Sequence, residues 1–233
     1  MRKIKDNKIN FITSIICVLI PSLVGIILWD KLPNEVALRF DFEWNAGSYY
    51  SKGFAVFGFY LFILAMHLLV AICCASENEK GEGIPDKIYR LFLWICPIMS
   101  ILSAVLIYGN ALGAKIDVSF WVMFTLGFLY LILGNYAPKI RRNRFAGVRI
   151  KWTFESKKNW EHTNRFSGYI MCVLGIIFII MAFTRFYNTV TAYWMPVVMV
   201  VLLVISVFLM ILYSGNYYLK HKNDEDYYDK KSN

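Results

Sequence analysis

Residues 134–168 read GNYAPKIRRNRFAGVRIKWTFESKKNWEHTNRFSG and hold nine of the chain's 25 Lys and Arg but only two acids. At either end this stretch runs into nearly uncharged apolar sequence, Val118 to Tyr136 before it and Ser167 to Thr184 after it. A hydrocarbon layer about 30 Å thick is crossed by roughly 20 apolar residues of helix, at about 1.5 Å per residue. A cationic connection between two such runs is therefore the loop of a membrane protein.

Working outward, four more stretches are apolar enough to cross: Ile9 to Trp29, Phe54 to Ala75, Tyr89 to Gly109 and Thr191 to Tyr213. Between them lie an arm (1–8), a long connection (30–53), a polar loop (76–88), two short turns (110–117 and 185–190), the basic loop (137–166) and a tail (214–233). The 58% share of hydrophobic residues agrees, since about 45 to 50% is usual for soluble domains. Charge is costly in hydrocarbon. Apart from Arg90, every Lys, Arg, Asp and Glu falls in a connection or a tail, and of the three histidines only His67 sits well inside a span. A neutral imidazole bonded to a neighbouring helix's carbonyl is the expected state of His67. Pro21, Pro97 and Pro196 interrupt three spans, which neighbouring helices tolerate by re-satisfying the freed backbone groups. The expected fold is an all-α polytopic membrane protein, a six-helix bundle.

Basic residues accumulate on the cytosolic side of membrane proteins. Counted by side, twenty fall with the two termini, the polar loop and the basic loop and five with the other three connections, which places both termini and the basic loop in the cytosol. The first span follows a basic arm as a secretory signal would, but its long apolar run, Pro21 and closing Trp29 read as an uncleaved anchor. All five cysteines (Cys17, Cys73, Cys74, Cys96, Cys172) lie in spans, so they read as buried thiols rather than a disulfide framework. Gly109 and Gly113 have the spacing of a helix-dimer motif, yet Gly113 falls in a turn, so crowding near a loop is the reading.

Two connections carry patterns of their own. In the outer one Val36, Leu38, Phe40, Phe42 and Trp44 alternate with Ala37, Arg39, Asp41 and Glu43, the period of a half-buried strand. Asn45 to Gly47 supply a turn, and Tyr49 and Tyr50 begin a returning strand. This small extracellular cap either seals helix ends or offers a ligand surface. In the basic loop Val148, Ile150, Trp152 and Phe154 alternate with Arg149, Lys151 and Thr153, so the segment after Gly147 pairs as a short strand or lies extended. Ser156 then fits the N-cap of an amphipathic helix. On that helix Trp160, Thr163, Asn164 and Ser167 share one face, and Lys157, Glu161 and Arg165 another. The tail from Asn223 to Asp229 reads as disordered.

At these two loops the sequence resembles the SdpI family of bacterial membrane proteins. The outer part of the resemblance is Leu32-Pro33, the alternation from Phe40 to Trp44, Gly47 and Ser51-Lys52. The inner part is Gly134-Asn135-Tyr136, Pro138-Lys139, Asn143, Gly147, Arg149, Trp152-Thr153, Ser156, Trp160 and Thr163, in order. Two departures stand out. The family pattern has Thr-Pro after the Arg and His after the Thr, where this chain has Ile150-Lys151 and Asn164; Asn does not titrate near neutrality, and His162 lies on a different helical face.

The family's namesake confers immunity to a secreted killing peptide of sporulating Gram-positive cells and holds a small helix-turn-helix repressor at the membrane. The resemblance thus implies two surfaces. Outside, a peptide toxin would meet Arg39, Phe40, Asp41, Phe42, Glu43, Trp44 and Lys52. Inside, the repressor would dock on Asn135, Lys139, Arg141, Arg142, Asn143, Arg144, Arg149, Trp152, Trp160, Thr163 and Asn164. Membrane lipids are the other expected partner, and anionic ones are attracted by so basic a loop.

Other classes fit less well. The sequence holds no HExxH, no GxSxG and no acid pair within a span, so no enzyme, metal or cofactor is expected. The basic loop is tethered at both ends and has no reader motif, which speaks against direct nucleic-acid binding. An ion-coupled transporter keeps charges along its path and often shows repeated halves, neither of which is seen. A carrier or exporter of a hydrophobic peptide or lipid is the alternative.

Overall fold

The computed structural model of the chain describes residues 2–40, 46–76, 84–143, 145–184 and 189–224. Six helices are long and apolar enough to cross a membrane, in the six places where hydropathy puts spans. They fall in two compact units that divide near Val118.

The first unit contains α1 (Arg2–Asp6), α2 (Lys8–Ile27), a hairpin of β1 (Glu35–Phe40) and β2 (Ala46–Ser51), one π-turn (Phe54–Gly58), α3 (Phe59–Ser76) and α4 (Asp86–Ala111). On α2 the buried residues are Ser14, Val18, Pro21 and Gly25, a stripe of small side chains at helical spacing. It lets neighbours come close: a Cβ on Gly25 would stand 2.7 to 2.8 Å from the Tyr108 hydroxyl and the Val56 methyls. Hydroxyls from α4 reach the α2 backbone around the Pro21 interruption, Ser100 donating to the Val18 carbonyl at 2.9 Å and Tyr108 to that of Pro21 at 3.2 Å. His67 on α3 is fully buried, and its Nε2 lies 3.0 Å from the Ser14 hydroxyl, so its partner is a side chain and not the expected carbonyl. Ser14 already donates to the Phe11 carbonyl at 2.8 Å, which leaves its oxygen to accept from the imidazole.

The second unit contains α5 (Val118–Tyr136), a 3-10 turn (Ala137–Lys139), α6 (Lys151–Glu155), α7 (Lys157–Thr184) and α8 (Thr189–His221). Two pairs of glycines bring α5 and α7 into backbone contact. A Cβ on Gly127 would meet the Gly175 carbonyl oxygen at 2.7 Å, and one on Gly134 would meet that of Gly168 at 2.8 Å; the reverse substitutions meet the same obstacle. The pairs are seven residues apart on both helices, two turns of an antiparallel seam. By contrast Gly109 crowds only the Ile116 side chain, and Gly113 sits in its turn at φ +84°.

Two elements run further than their hydropathy. The amphipathic helix and the fifth span are one continuous helix, α7, because no residue between Lys157 and Thr184 interrupts the backbone bonding. The last helix continues past Tyr213 to His221, held by ring stacking described below.

Candidate functional site

The outer loop folds as an antiparallel hairpin in which Val36 pairs with Tyr50 and Arg39 with Ser48, with register shifts on either side of Arg39. Its inward face is the one the alternation marked. Val36 is 1% exposed and joins Leu32, Val56, Tyr60, Ile107 and Tyr108 in one cluster, with Leu38 packed against it, while Arg39 points to solvent. The return strand begins at Ala46, three residues before the expected Tyr49. Its Tyr49 and Tyr50 are exposed, and Tyr50 stacks on Phe54 at 5.4 Å. Asp41, Phe42, Glu43 and Trp44 lie outside the described residues.

Lys52 has a different occupation from the expected ligand contact. Its ammonium donates to the carbonyls of Trp29 at 3.0 Å and Leu32 at 3.3 Å, and sits 4.8 Å from the centre of the Trp29 ring. These carbonyls lie in the turn just past the C-terminal end of α2, where a cation is favoured by the helix dipole. Lys52 thus ties the foot of the hairpin to the end of α2.

The basic loop is organised by its own polar side chains. Asn143 is 3% exposed; its Oδ1 accepts from the backbone N–H of Phe145 at 2.8 Å and Ala146 at 2.7 Å, while its Nδ2 donates to the Arg141 carbonyl at 2.7 Å. Gly147 follows at φ +102°, and a Cβ there would stand 2.6 Å from Asn164 Oδ1 and 3.0 Å from the Trp160 ring, so both conformation and space require glycine. The next residues lie extended without pairing, and at Lys151 the alternation gives way to the short helix α6. Thr153 starts it, donating to the carbonyls of Val148 and Ile150 and accepting from the Ile150 N–H at 3.1 Å.

The buried face of α7 receives this loop. Ser156 caps the helix through the Asn159 N–H at 3.2 Å. Trp160 is 1% exposed and its indole N–H donates to the Ile140 carbonyl at 2.8 Å. Asn164 ties the loop to the helix: Oδ1 accepts from the Val148 N–H at 3.0 Å, and Nδ2 donates to the Trp160 carbonyl one turn back on α7 at 2.9 Å. An amide supplies both a donor and an acceptor here without titrating. One turn earlier Asn159 Oδ1 accepts from Thr163 at 2.8 Å and from Ser214 of α8 at 3.0 Å, while its Nδ2 donates to the Ser214 carbonyl at 3.3 Å.

Rings close the remaining edge. Phe166 stacks on Tyr213 at 4.0 Å, His162 on Tyr217 at 4.8 Å and Trp152 on Tyr218 at 5.8 Å, with Trp152 also lying against Gly215. Asn159, Ser214 and this aromatic row escaped the sequence reading, although two tyrosines, Tyr217 and Tyr218, on the first turns of a polar tail were a signal that it packs.

Among the residues expected to meet a partner, Asn143, Trp160, Thr163 and Asn164 are therefore committed to the loop's interior, and Trp152 is half-buried. Asn135, Lys139, Arg141 and Arg149 are exposed. Arg142 is half-buried and donates to the Phe154 carbonyl at 3.2 Å; Arg144 lies outside the described residues.

These features define a multi-pass α-helical membrane protein with a hairpin in its first connection and a self-bonded basic loop before its fifth span. Residues 139–214, which hold the loop, α7 and most of α8, match the model of the SdpI/YfhL protein family. The chain is 25% identical over 209 residues to the Immunity protein SdpI of Bacillus subtilis (strain 168), a match that covers 90% of this chain and 96% of that protein. The resemblance to the SdpI family is thereby borne out. No solved structure matches the chain.

Proposed function

We propose that this chain is an immunity protein of the membrane, protecting the cell that carries it against a secreted peptide toxin. The observation that carries the reading is the similarity to the Bacillus subtilis immunity protein along nearly the whole of both chains. The hairpin is the toxin-facing element. It is a two-stranded sheet with exposed Tyr49 and Tyr50 on one strand and Arg39 on the other, and such an edge suits an extended amphipathic peptide, which adds main-chain bonds to a strand and lays alternate side chains on its face.

The distribution of cations supports a cytosolic basic loop and cytosolic termini. There Asn135, Lys139, Arg141, Arg142 and Arg149 offer a docking face for an acidic surface of a small helix-turn-helix repressor, mounted on the platform that Asn143, Trp160, Thr163 and Asn164 hold together. Toxin survival and repressor capture are separable. Expression in a toxin-sensitive Gram-positive host raises survival on this reading, and Arg141→Gln with Arg149→Gln releases a repressor from the membrane while survival stays. Unchanged killing, with insertion in the membrane verified by fractionation, contradicts the immunity reading.

A further inference from the structure

Where the basic loop packs on the first turns of α7, it forms a half-open pocket of about 360 Å³. Five cations line it, Lys139, Arg141 and Arg142 from the loop and Lys157 and Arg165 from the helix, against one carboxylate, Glu161. The floor is Pro138, Ile140 and Trp160. Because the indole N–H of Trp160 is taken by Ile140, the floor supplies shape, and the walls supply the charge.

That many like charges facing one small volume repel each other, and a compact anion with several acceptor oxygens relieves them. Guanidinium groups grip phosphate in forked pairs, and three are present. A folded protein surface does not enter a pocket of this volume, which lies at the small-ligand end of binding sites. Depth points the same way. Pro138 ends the exit turn of α5, and Arg165 lies two residues before the apolar run of α7, so the pocket sits where helices leave the hydrocarbon and lipid phosphates are found.

We propose that this pocket binds the phosphate of an anionic phospholipid headgroup. The site differs from diffuse attraction of a basic loop to a charged membrane because it is saturable and built from named side chains. It does not rest on the immunity reading. It does overlap the docking face at Lys139, Arg141 and Arg142, so a bound headgroup and a docked protein exclude each other there, while Arg149 stays outside the pocket.

The test uses the full-length protein, purified in detergent and stripped of lipid, with binding followed by native mass spectrometry. Phosphatidylglycerol and cardiolipin should bind saturably at one site per chain, with phosphatidylcholine a poor competitor. The pair Arg141→Gln and Arg165→Gln, both exposed positions, should weaken binding by about ten-fold or more, as loss of charge-assisted bonds requires. The exposed pair Arg149→Gln and Lys151→Gln should change it by less than about two-fold. Either single pocket substitution, Arg141→Gln or Arg165→Gln, serves if the pair fails to fold. Equal losses from the two pairs would mean diffuse charge and overturn the site, as would wild-type binding by the pocket variant. Inorganic pyrophosphate is the remaining arm: competition as strong as that of phosphatidylglycerol assigns the pocket to a free phosphate compound and overturns the lipid assignment.

Discussion

Inside the first unit, polar side chains are scattered: His67 meets Ser14, Ser100 reaches the Val18 carbonyl, and Tyr108 reaches that of Pro21. Inside the second, Asn143, Thr153, Asn159, Thr163, Asn164 and Ser214 are all buried near the basic loop, Asn143 and Thr153 bonding within it, Asn164 joining it to α7, and Asn159 joining α7 to Ser214 of α8. The first unit's loop is instead a hairpin held by apolar burial at Val36 and by Lys52. An apolar seat lets a hairpin keep an exposed working surface, whereas a cooperative polar network fixes a loop in one shape, because each buried group that loses its partner carries a desolvation cost. The basic-loop residues that carry the resemblance are therefore largely the architecture of a platform, and the exposed Lys139, Arg141 and Arg149 surround it.

The largest effect expected from breaking this contrast is at the helix seam. Gly168→Leu drives a side chain into the Gly134 carbonyl, 2.6 Å from where its Cβ would lie, and should destabilise the second unit by about 3 kcal/mol or leave no folded protein, read by thermal melting in detergent. Next comes a matched pair of polar deletions. Asn159→Leu orphans the Thr163 and Ser214 groups it joins and should cost about 2 to 3 kcal/mol, whereas His67→Met removes a group with one partner, Ser14, which keeps its bond to Phe11, and should cost under about 1 kcal/mol. Equal losses at the two positions would erase the distinction between network and scatter. Smaller still, Lys52→Gln leaves helix-end carbonyls to water and should cost about 1 kcal/mol, with faster proteolysis confined to the hairpin.

Hydropathy and charge made the helices legible because the bilayer imposes one rule on each span, and the alternation from Val36 to Phe40 marked the buried face of the hairpin correctly. Partnership was harder to read. Gly127 and Gly175 are adjacent only after α5 and α7 have turned back on each other, and their spacing within one helix does not name the partner. Asn159 and Asn164 look like surface amides on a polar helix until the loop folds over them. The same polarity hid the extent of α7 and α8, whose last or first turns are polar in sequence yet packed by rings such as Phe166 and Tyr213. Conversely Lys52 reads as a surface cation, and only the position of the Trp29 and Leu32 carbonyls, just past α2, gives it a structural task.

The account rests on the hairpin and the basic loop facing opposite sides, hairpin outward. Single cysteines at exposed positions, Arg39→Cys and Arg149→Cys, read this directly with a membrane-impermeant maleimide; the five native thiols lie buried or half-buried in helices, and the parent chain gives their background. Labelling of Arg39→Cys in intact cells, and of Arg149→Cys only after lysis, is the expected result. The reverse pattern would put the basic platform outside and contradict both the toxin-facing hairpin and the cytosolic dock.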